Sequence, residues 1–443
     1  MEFIDAAKAL IAADSSPGQG TVEAIRFLQQ LATSFGFRTT IQEDVSGGTA
    51  QANIFIEPSH AAKKLLLETH LDTTSPGAFA LWSKTGYNPF QASIRGDEIY
   101  GLGAADVKLD FLCKLYAARR VNWSAMSSSA VLLGTYGEEE QMQGALRAIR
   151  SRAVTPCFAL IGEPTDLHLV YSGKGITHLE IVIPHQSEMS DEWTDEGSIG
   201  TTQNKVFHGK AAHSSTPEMG ENAVEKMFEF LNQLPDSIDI LGVDGGLTFN
   251  TIPTQASLEF DLSAQSASRL AKQIKTIYGT IKKLEDTFKQ YPNTSFDPPY
   301  PTINIGMIRH HPDHIKMAGA VRWSTHIQEE LYSKWIEELV STCKNVGAIC
   351  RVIDVKRPFL TETERVFARM CKEEALKIHP QVMFKTQPVT NEANVFSRFG
   401  FECIVFGPGK RQNNAHTPEE HVSLRDLAKA EDFYFHMMNR VCI

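Results

Sequence analysis

Short apolar runs that each lead into a histidine or an acid constrain this chain most. His70 follows KLLLET, Asp106 closes GLGAAD, Glu139 ends AVLLGTYGEE, Glu163 ends CFALIGE, and His416 lies beyond CIVFGPG. A run of four to eight apolar residues reads as a buried strand, and in open parallel sheets ligands gather at the carboxyl ends of strands. The five side chains are therefore expected to converge in space.

Helical periodicity over 3–14, 20–36, 108–121 and 142–152 alternates with β-type runs at 51–57 and 64–70, the pattern of an α/β unit with a largely parallel sheet. From about Ser172 the texture changes. A polar stretch at 186–204 reads as a long surface loop, and GLTFNTIP and ASLEFDL read as β-type. Helices are expected from Glu221, from about Ala267 and over 327–343, with strands at TINIGMI and HIKMAGAVRW. After RVIDVKRPF the first texture resumes with a helix (362–377), the run FECIVFG and a final helix (423–440). The fold class is thus α/β: a catalytic domain with a mixed, mainly parallel sheet flanked by helices, split into 1–173 and 357–443 by an inserted α+β domain at 174–356. With 443 residues, two cores are the natural division.

Bulk charge narrows the partners. A net charge of −10 offers no field for a polyanion, and no Lys/Arg cluster is interleaved with aromatics, so nucleic acid is not expected. No apolar stretch reaches the roughly 18 residues of a membrane span, and the acidic start MEFIDAAKA is unlike an export signal. Seven scattered cysteines without a C-x-x-C pair argue against a disulfide framework or a thiolate metal site. A cytoplasmic setting is expected.

The chemistry of the five residues points to metal. Histidine and carboxylate suit zinc, with cobalt and manganese as alternatives, and paired ions need a carboxylate that bridges them. Two imidazoles and three acids meet that need, leaving one positive charge to favour a bound hydroxide of lowered pKa. Asp72, two residues after His70, can orient the ligand's second ring nitrogen. Glu138 cannot easily ligate beside Glu139 but can hold the water as general base. Taken singly, a histidine after a strand is ordinarily structural and an EEE run is a solvated helical first turn. Their joint placement after apolar strands is what changes the reading.

These segments resemble, over nearly the whole chain, the aminoacylase, acetylornithine deacetylase, succinyl-diaminopimelate desuccinylase and carboxypeptidase G group of co-catalytic zinc hydrolases. The matching motifs are THLDTTSPG, GLGAADVKLD, GEEEQMQGA, IGEPTDL and AHTPEEHVSL. The resemblance implies His70, Asp106, Glu139, Glu163 and His416 as ligands of two divalent ions. It implies Asp72 as orienting acid, Glu138 as base with Gly144 setting its register, and a cis Asp106–Val107 peptide. GKAAHSSTPEMGENAVEKM is similar to the family's lid, which implies a homodimer in which His213 polarises the scissile carbonyl across the subunit boundary. Substrate-binding roles implied for this chain fall on Asn250 in N-x-I-P and on Arg322, where the usual arginine position holds Ser263. Gly407 and Gly409 either offer amides to a carboxylate, as relatives suggest, or form a tight loop. Gly137 and SGKG (172–175) also depart from the family pattern, and Glu392 in TNEA stands in a usual aspartate's place with its role open.

The function expected from this resemblance is an N-acyl-amino-acid deacylase acting on a small N-acyl amino acid. A dipeptidase or carboxypeptidase acting on a short peptide is the alternative, and a metal-retaining binding protein without catalysis the remote one. GLGAAD lacks the third glycine of a dinucleotide loop, and no G-x-S-x-G follows a strand.

Overall fold

Leu65, Leu66 and Leu67 are all fully buried, although successive strand side chains point to opposite faces. The sheet that holds them is therefore covered on both sides. This computed structural model describes every residue except 156, 186–201 and 263–268. The chain forms two compact units: Met1–Gly173, Phe359–Thr386 and Asn391–Ile443 make the first, and Lys174–Pro358 with Gln387–Thr390 make the second.

Four parallel strands form the middle of the first unit's nine-stranded sheet, in the order Ser129–Thr135, Lys63–His70, Phe158–Gly162 and Glu402–Phe406. Antiparallel strands flank them. On one side lies the hairpin Arg38–Ser46 and Thr49–Glu57, and on the other Leu169–Gly173. Leu65 and Leu67 share a core with the helices Phe3–Ala12, Lys108–Arg120 and Leu424–Cys442, whereas Leu66 packs with Gln143–Arg150 and Ala393–Arg398 on the other face. Truncating one such leucine to alanine in a filled interior costs about 2–5 kcal/mol. The helix Lys108–Arg120 is buried nearly all round, and its ionic groups survive there by pairing. Lys114 Nζ lies 2.7 Å from Asp110 Oδ2, and Lys108 Nζ donates to the Ala13 carbonyl at 2.6 Å.

Among the described residues the second unit holds a seven-stranded sheet in the order Gln203–His208, Gln255–Leu262, Ile238–Gly246, Thr302–His310, His314–Trp323, Gly175–Pro184 and Ile349–Lys356. All its pairings are antiparallel. Leu179, Ile181 and Ile183 alternate inward along Gly175–Pro184 and meet the helices Ala223–Gln233, Arg269–Phe288 and Glu329–Asn345. Asn222 starts the first of these helices, its side chain accepting from the Glu225 amide; such a cap contributes about 1 kcal/mol.

Two expectations differ from the fold. GLTFNTIP is not a strand: the preceding IDILGVDGG forms Ile238–Gly246, which ends at the left-handed Gly246 (φ 66°), and only Thr251 bridges onward, to His213. Three glycines and two aspartates hid that strand, because its pairing comes from neighbours on both sides. Most of the polar stretch at 186–204 lies outside the described residues, as does Ser263, and its last residues belong to Gln203–His208. Among the described residues no helix is long and apolar enough to cross a membrane.

Candidate metal centre

Four consecutive parallel strands deliver the site. His70 is the last residue of Lys63–His70, Glu138 and Glu139 follow Ser129–Thr135, Glu163 follows Phe158–Gly162, and the loop to His416 leaves Glu402–Phe406. Asp106 comes from the turn before Lys108–Arg120, across a cis Asp106–Val107 peptide, the geometry the resemblance implied.

Asp106 sits at the centre. Its Oδ1 lies 3.4 Å from His70 Nε2, and its Oδ2 lies 2.9 Å from His416 Nε2, which is also 3.0 Å from Glu139 Oε1. His70, Asp106 and Glu139 bring ligand atoms within 4.8 Å of one another, and so do His70, Glu138 and Glu163. The structure therefore gathers all five sequence-predicted ligands, with Glu138, into one cluster of the first unit. His70, Asp106 and Glu163 are buried, and His416 is held with φ 61°, a left-handed backbone rare outside glycine.

Asp72 works through two groups. Its backbone carbonyl is 3.1 Å from His70 Nδ1 and its carboxylate 3.7 Å away, so the carbonyl is the nearer orienting acceptor. The carboxylate instead accepts from the Glu138 and Glu139 amides at 3.2 and 3.1 Å, fixing the backbone of the paired glutamates. Gly144 has no room for a side chain, since a Cβ there would lie 2.5 Å from the Tyr136 carbonyl and 2.6 Å from Asn53 Oδ1. The segment that carries Glu138 is clamped from both directions.

The electrostatics are those of crowded acids. Burial opposes a charge on His70, yet Asp106, Glu138 and Asp72 together hold its proton well above the ordinary range. Burial likewise opposes protonation of His416, but Glu139 and Asp106 raise it to about 11. Burial lifts Glu163 to about 7 despite Arg411, and burial with neighbouring acids pushes Glu138 well above the carboxylate range. A field that keeps protons on two imidazoles is a field that attracts cations, which would release those protons on binding. The donor set fits paired ions by a further observation: neither oxygen of buried Asp106 makes a hydrogen bond of good geometry, and the polar atoms that face them are the ring nitrogens of His70 and His416, an arrangement that costs stability unless a ligand completes it.

Two residues that the sequence reading passed over belong here. Arg411 pairs with Glu163 and lies 3.9 Å from Asp106. Glu420 Oε1 accepts from the Ala105 and Asp106 amides at 2.8 and 2.9 Å, so it holds the turn that carries Asp106. Glu420 was visible in AHTPEEHVSL as an acid beside the ligand motif; nothing in GPGKRQNN distinguished Arg411. Glu392 is fully buried, and its Oε2 accepts from Thr135 Oγ1 at 2.7 Å, the same hydroxyl that meets Glu68 at 3.0 Å.

Gly407 donates its N–H to Thr165 Oγ1, and a Cβ there would strike the Glu163 carbonyl at 2.5 Å. That amide is engaged and not offered outward. Gly409 (φ 84°) accepts from the Asp166 amide and abuts Ala105.

Within the second unit, His213, Asn250 and Arg322 meet around Ser214. The Ser214 amide donates to the Asn250 carbonyl at 2.9 Å, and its hydroxyl accepts from Arg322 at 3.3 Å. His213 Nδ1 is 2.7 Å from Ser215 Oγ.

Comparison with known proteins agrees with this geometry. Residues 66–440 match the profile of peptidase family M20/M25/M40. An acetylornithine deacetylase of Photorhabdus laumondii is 28% identical over 304 residues, which cover 68% of this chain and 59% of that protein. The chain thus spans less than two thirds of the curated relative it matches. In overall fold it is similar to the M20 family metallo-carboxypeptidase Sso-CP2 of Sulfolobus solfataricus (TM-score 0.62, 15% identity, covering 99% and 98% of the two chains). It is also similar to aminoacylhistidine dipeptidase of Vibrio alginolyticus (TM-score 0.61, 16% identity, covering 98% and 96%).

Proposed function

This chain belongs to peptidase family M20/M25/M40, and we propose that it is a metal-dependent amide hydrolase that deacylates a small N-acyl amino acid, as an acetylornithine deacetylase does. The observation that carries the chemistry is Asp106, whose two buried oxygens each face a different imidazole. Its relation to acetylornithine deacetylases carries the choice of substrate class.

In this reading His70, Asp106, Glu139, Glu163 and His416 would hold two cations. Two zinc ions, when bound, supply Lewis acidity toward the carbonyl and acidify a water; the imidazole and carboxylate donors also suit cobalt or manganese. Glu138 takes the proton of the attacking water and passes it to the leaving amine as the C–N bond breaks, giving a carboxylate and a free amine. Asp72 keeps Glu138 and Glu139 in register through their amides. Arg322 and Asn250 bind the substrate's carboxylate end, and His213 polarises the scissile carbonyl across a homodimer. Seven free cysteines suit a reducing cytoplasm.

The test is turnover of the metal-loaded protein on N-acetyl amino acids, N-succinyl amino acids and dipeptides. Highest kcat/KM on an N-acyl amino acid is expected. Preference for a dipeptide would assign a peptidase, and bound metal without turnover on any of them a binding protein. For the dimer, mixing Glu138→Gln and His213→Ala chains should restore part of the activity that each lacks alone; no recovery removes the shared site.

A further inference from the structure

Four of the chain's fifteen histidines, His185, His310, His311 and His314, lie together at one end of the second unit's sheet, within that unit and outside the cluster around Asp106. His310 ends the strand Thr302–His310, HPD makes the turn, and His314 opens His314–Trp323. His185 is brought alongside by register. Gly175–Pro184 pairs antiparallel with His314–Trp323, Pro184 opposite His314, and the His185 amide then donates to the Asp313 carbonyl at 3.0 Å.

This places His185 Nε2 2.9 Å from His310 Nε2, with the rings nearly perpendicular at 77°. Both side chains are half-buried. The other two rings are engaged differently: His311 and His314 stack with centroids 4.4 Å apart, and His314 Nδ1 is 2.7 Å from Asp313 Oδ1. The Asp313 carboxylate is thus engaged by His314, and the facing nitrogens are reconciled by one shared proton or by a cation between them. Two protonated rings at this separation would repel, and burial together with His185 and His311 already lowers the proton affinity of His310. Neutral imidazole is the ligand form. Zinc takes nitrogen donors at about 2.0–2.1 Å in tetrahedral geometry, which sets them roughly 3.3 Å apart, so a few tenths of an ångström of opening admits an ion.

We propose that His185 and His310 form a two-imidazole site for a borderline divalent cation such as Zn2+, Cu2+ or Ni2+, completed by solvent, that pins the end of Gly175–Pro184 to the turn between Thr302–His310 and His314–Trp323. Hard cations such as Mg2+ and Ca2+ are excluded by the nitrogen donors.

The experiment uses the full chain with its cluster around Asp106 already saturated with zinc. Equilibrium dialysis against Zn2+ should show one further equivalent per chain, absent from His310→Gln and from His185→Gln, with kcat unchanged in both variants. Cu2+ added to the same preparations should give an electron paramagnetic resonance spectrum with nitrogen couplings from two imidazoles, and neither variant should retain both. Equal zinc stoichiometry in the parent and both variants, or a copper spectrum unaltered by either substitution, overturns the site and leaves a shared proton between the rings. Circular dichroism of each variant separates loss of the site from loss of the fold.

Discussion

On the helical face of the second unit Lys282 lies 2.5 Å from Glu225 and 2.7 Å from Glu285, and at its sheet Lys316 lies 2.5 Å from Glu180. At the strand ends of the first unit, by contrast, Asp106, Glu138, Glu139 and Glu163 crowd two histidines, with Arg411 beside Glu163 and Asp106. The second unit's ion pairs stabilise little and cost little, because partly exposed pairs contribute about 0–1 kcal/mol. The first unit's cluster is expensive in isolation, since several acids buried against one another oppose folding. Folding alone does not explain why it exists; a cation does. The comparison teaches that crowded burial of like charge, and not the number of charges, marks the working end of this molecule.

The largest effect expected from breaking that contrast is catalytic. Glu138→Gln removes a proton carrier from the acidic end and should lower kcat by about 10²–10⁴-fold with metal content unchanged, as measured by steady-state kinetics beside elemental analysis. Near-normal turnover would falsify its role as base.

Metal removal comes next. Ligand at a hundred times its dissociation constant stabilises by about 2.7 kcal/mol, so chelation should lower the melting temperature and speed amide hydrogen exchange in the first unit. Exchange in Lys174–Pro358 should stay as it was, save at the strand ends that carry His185 and His310; equal destabilisation of both units would erase the distinction drawn here.

Glu420→Ala leaves the Ala105 and Asp106 amides without their acceptor. The expected loss is about 1–3 kcal/mol of stability and about 10–100-fold in metal affinity, read by denaturant titration and competition with a chelator. An unchanged affinity would show that the Asp106 turn holds itself.

Smallest is a change in the second unit. The Tyr278 hydroxyl is buried without a hydrogen-bond partner, so Tyr278→Phe should leave stability unchanged or raise it by up to about 1 kcal/mol. A loss on denaturant unfolding would mean that this unit also depends on a buried polar contact.

How much of this could be read without coordinates follows physical lines. The runs KLLLET, CFALIG and CIVF announce themselves as strands because both faces are covered and nearly every residue is apolar. Arg38–Ser46 escaped the reading because RTTIQEDVS is a half-exposed edge strand whose partner, Thr49–Glu57, supplies its pairing. The three-stranded sheet of Ser93–Arg95, Glu98–Tyr100 and His421–Ser423 escaped too, since it joins segments more than 300 residues apart. Among site residues, the ligands stood out as polar groups at the ends of apolar runs. Arg411 and Glu420 lie in loops where charge is ordinary, and only their partners give them meaning.

Local pattern, then, was enough to specify a parallel sheet and the acids and histidines at its strand ends, because burial on both faces and the need for ligands at carboxyl ends leave a signature in consecutive residues. Which oxygen of Asp106 faces which imidazole, that the Asp72 carboxylate grips two amides, and that His185 meets His310 were decided only in three dimensions. Each depends on strand register and chain crossing between distant segments, and a linear sequence carries no direct record of either.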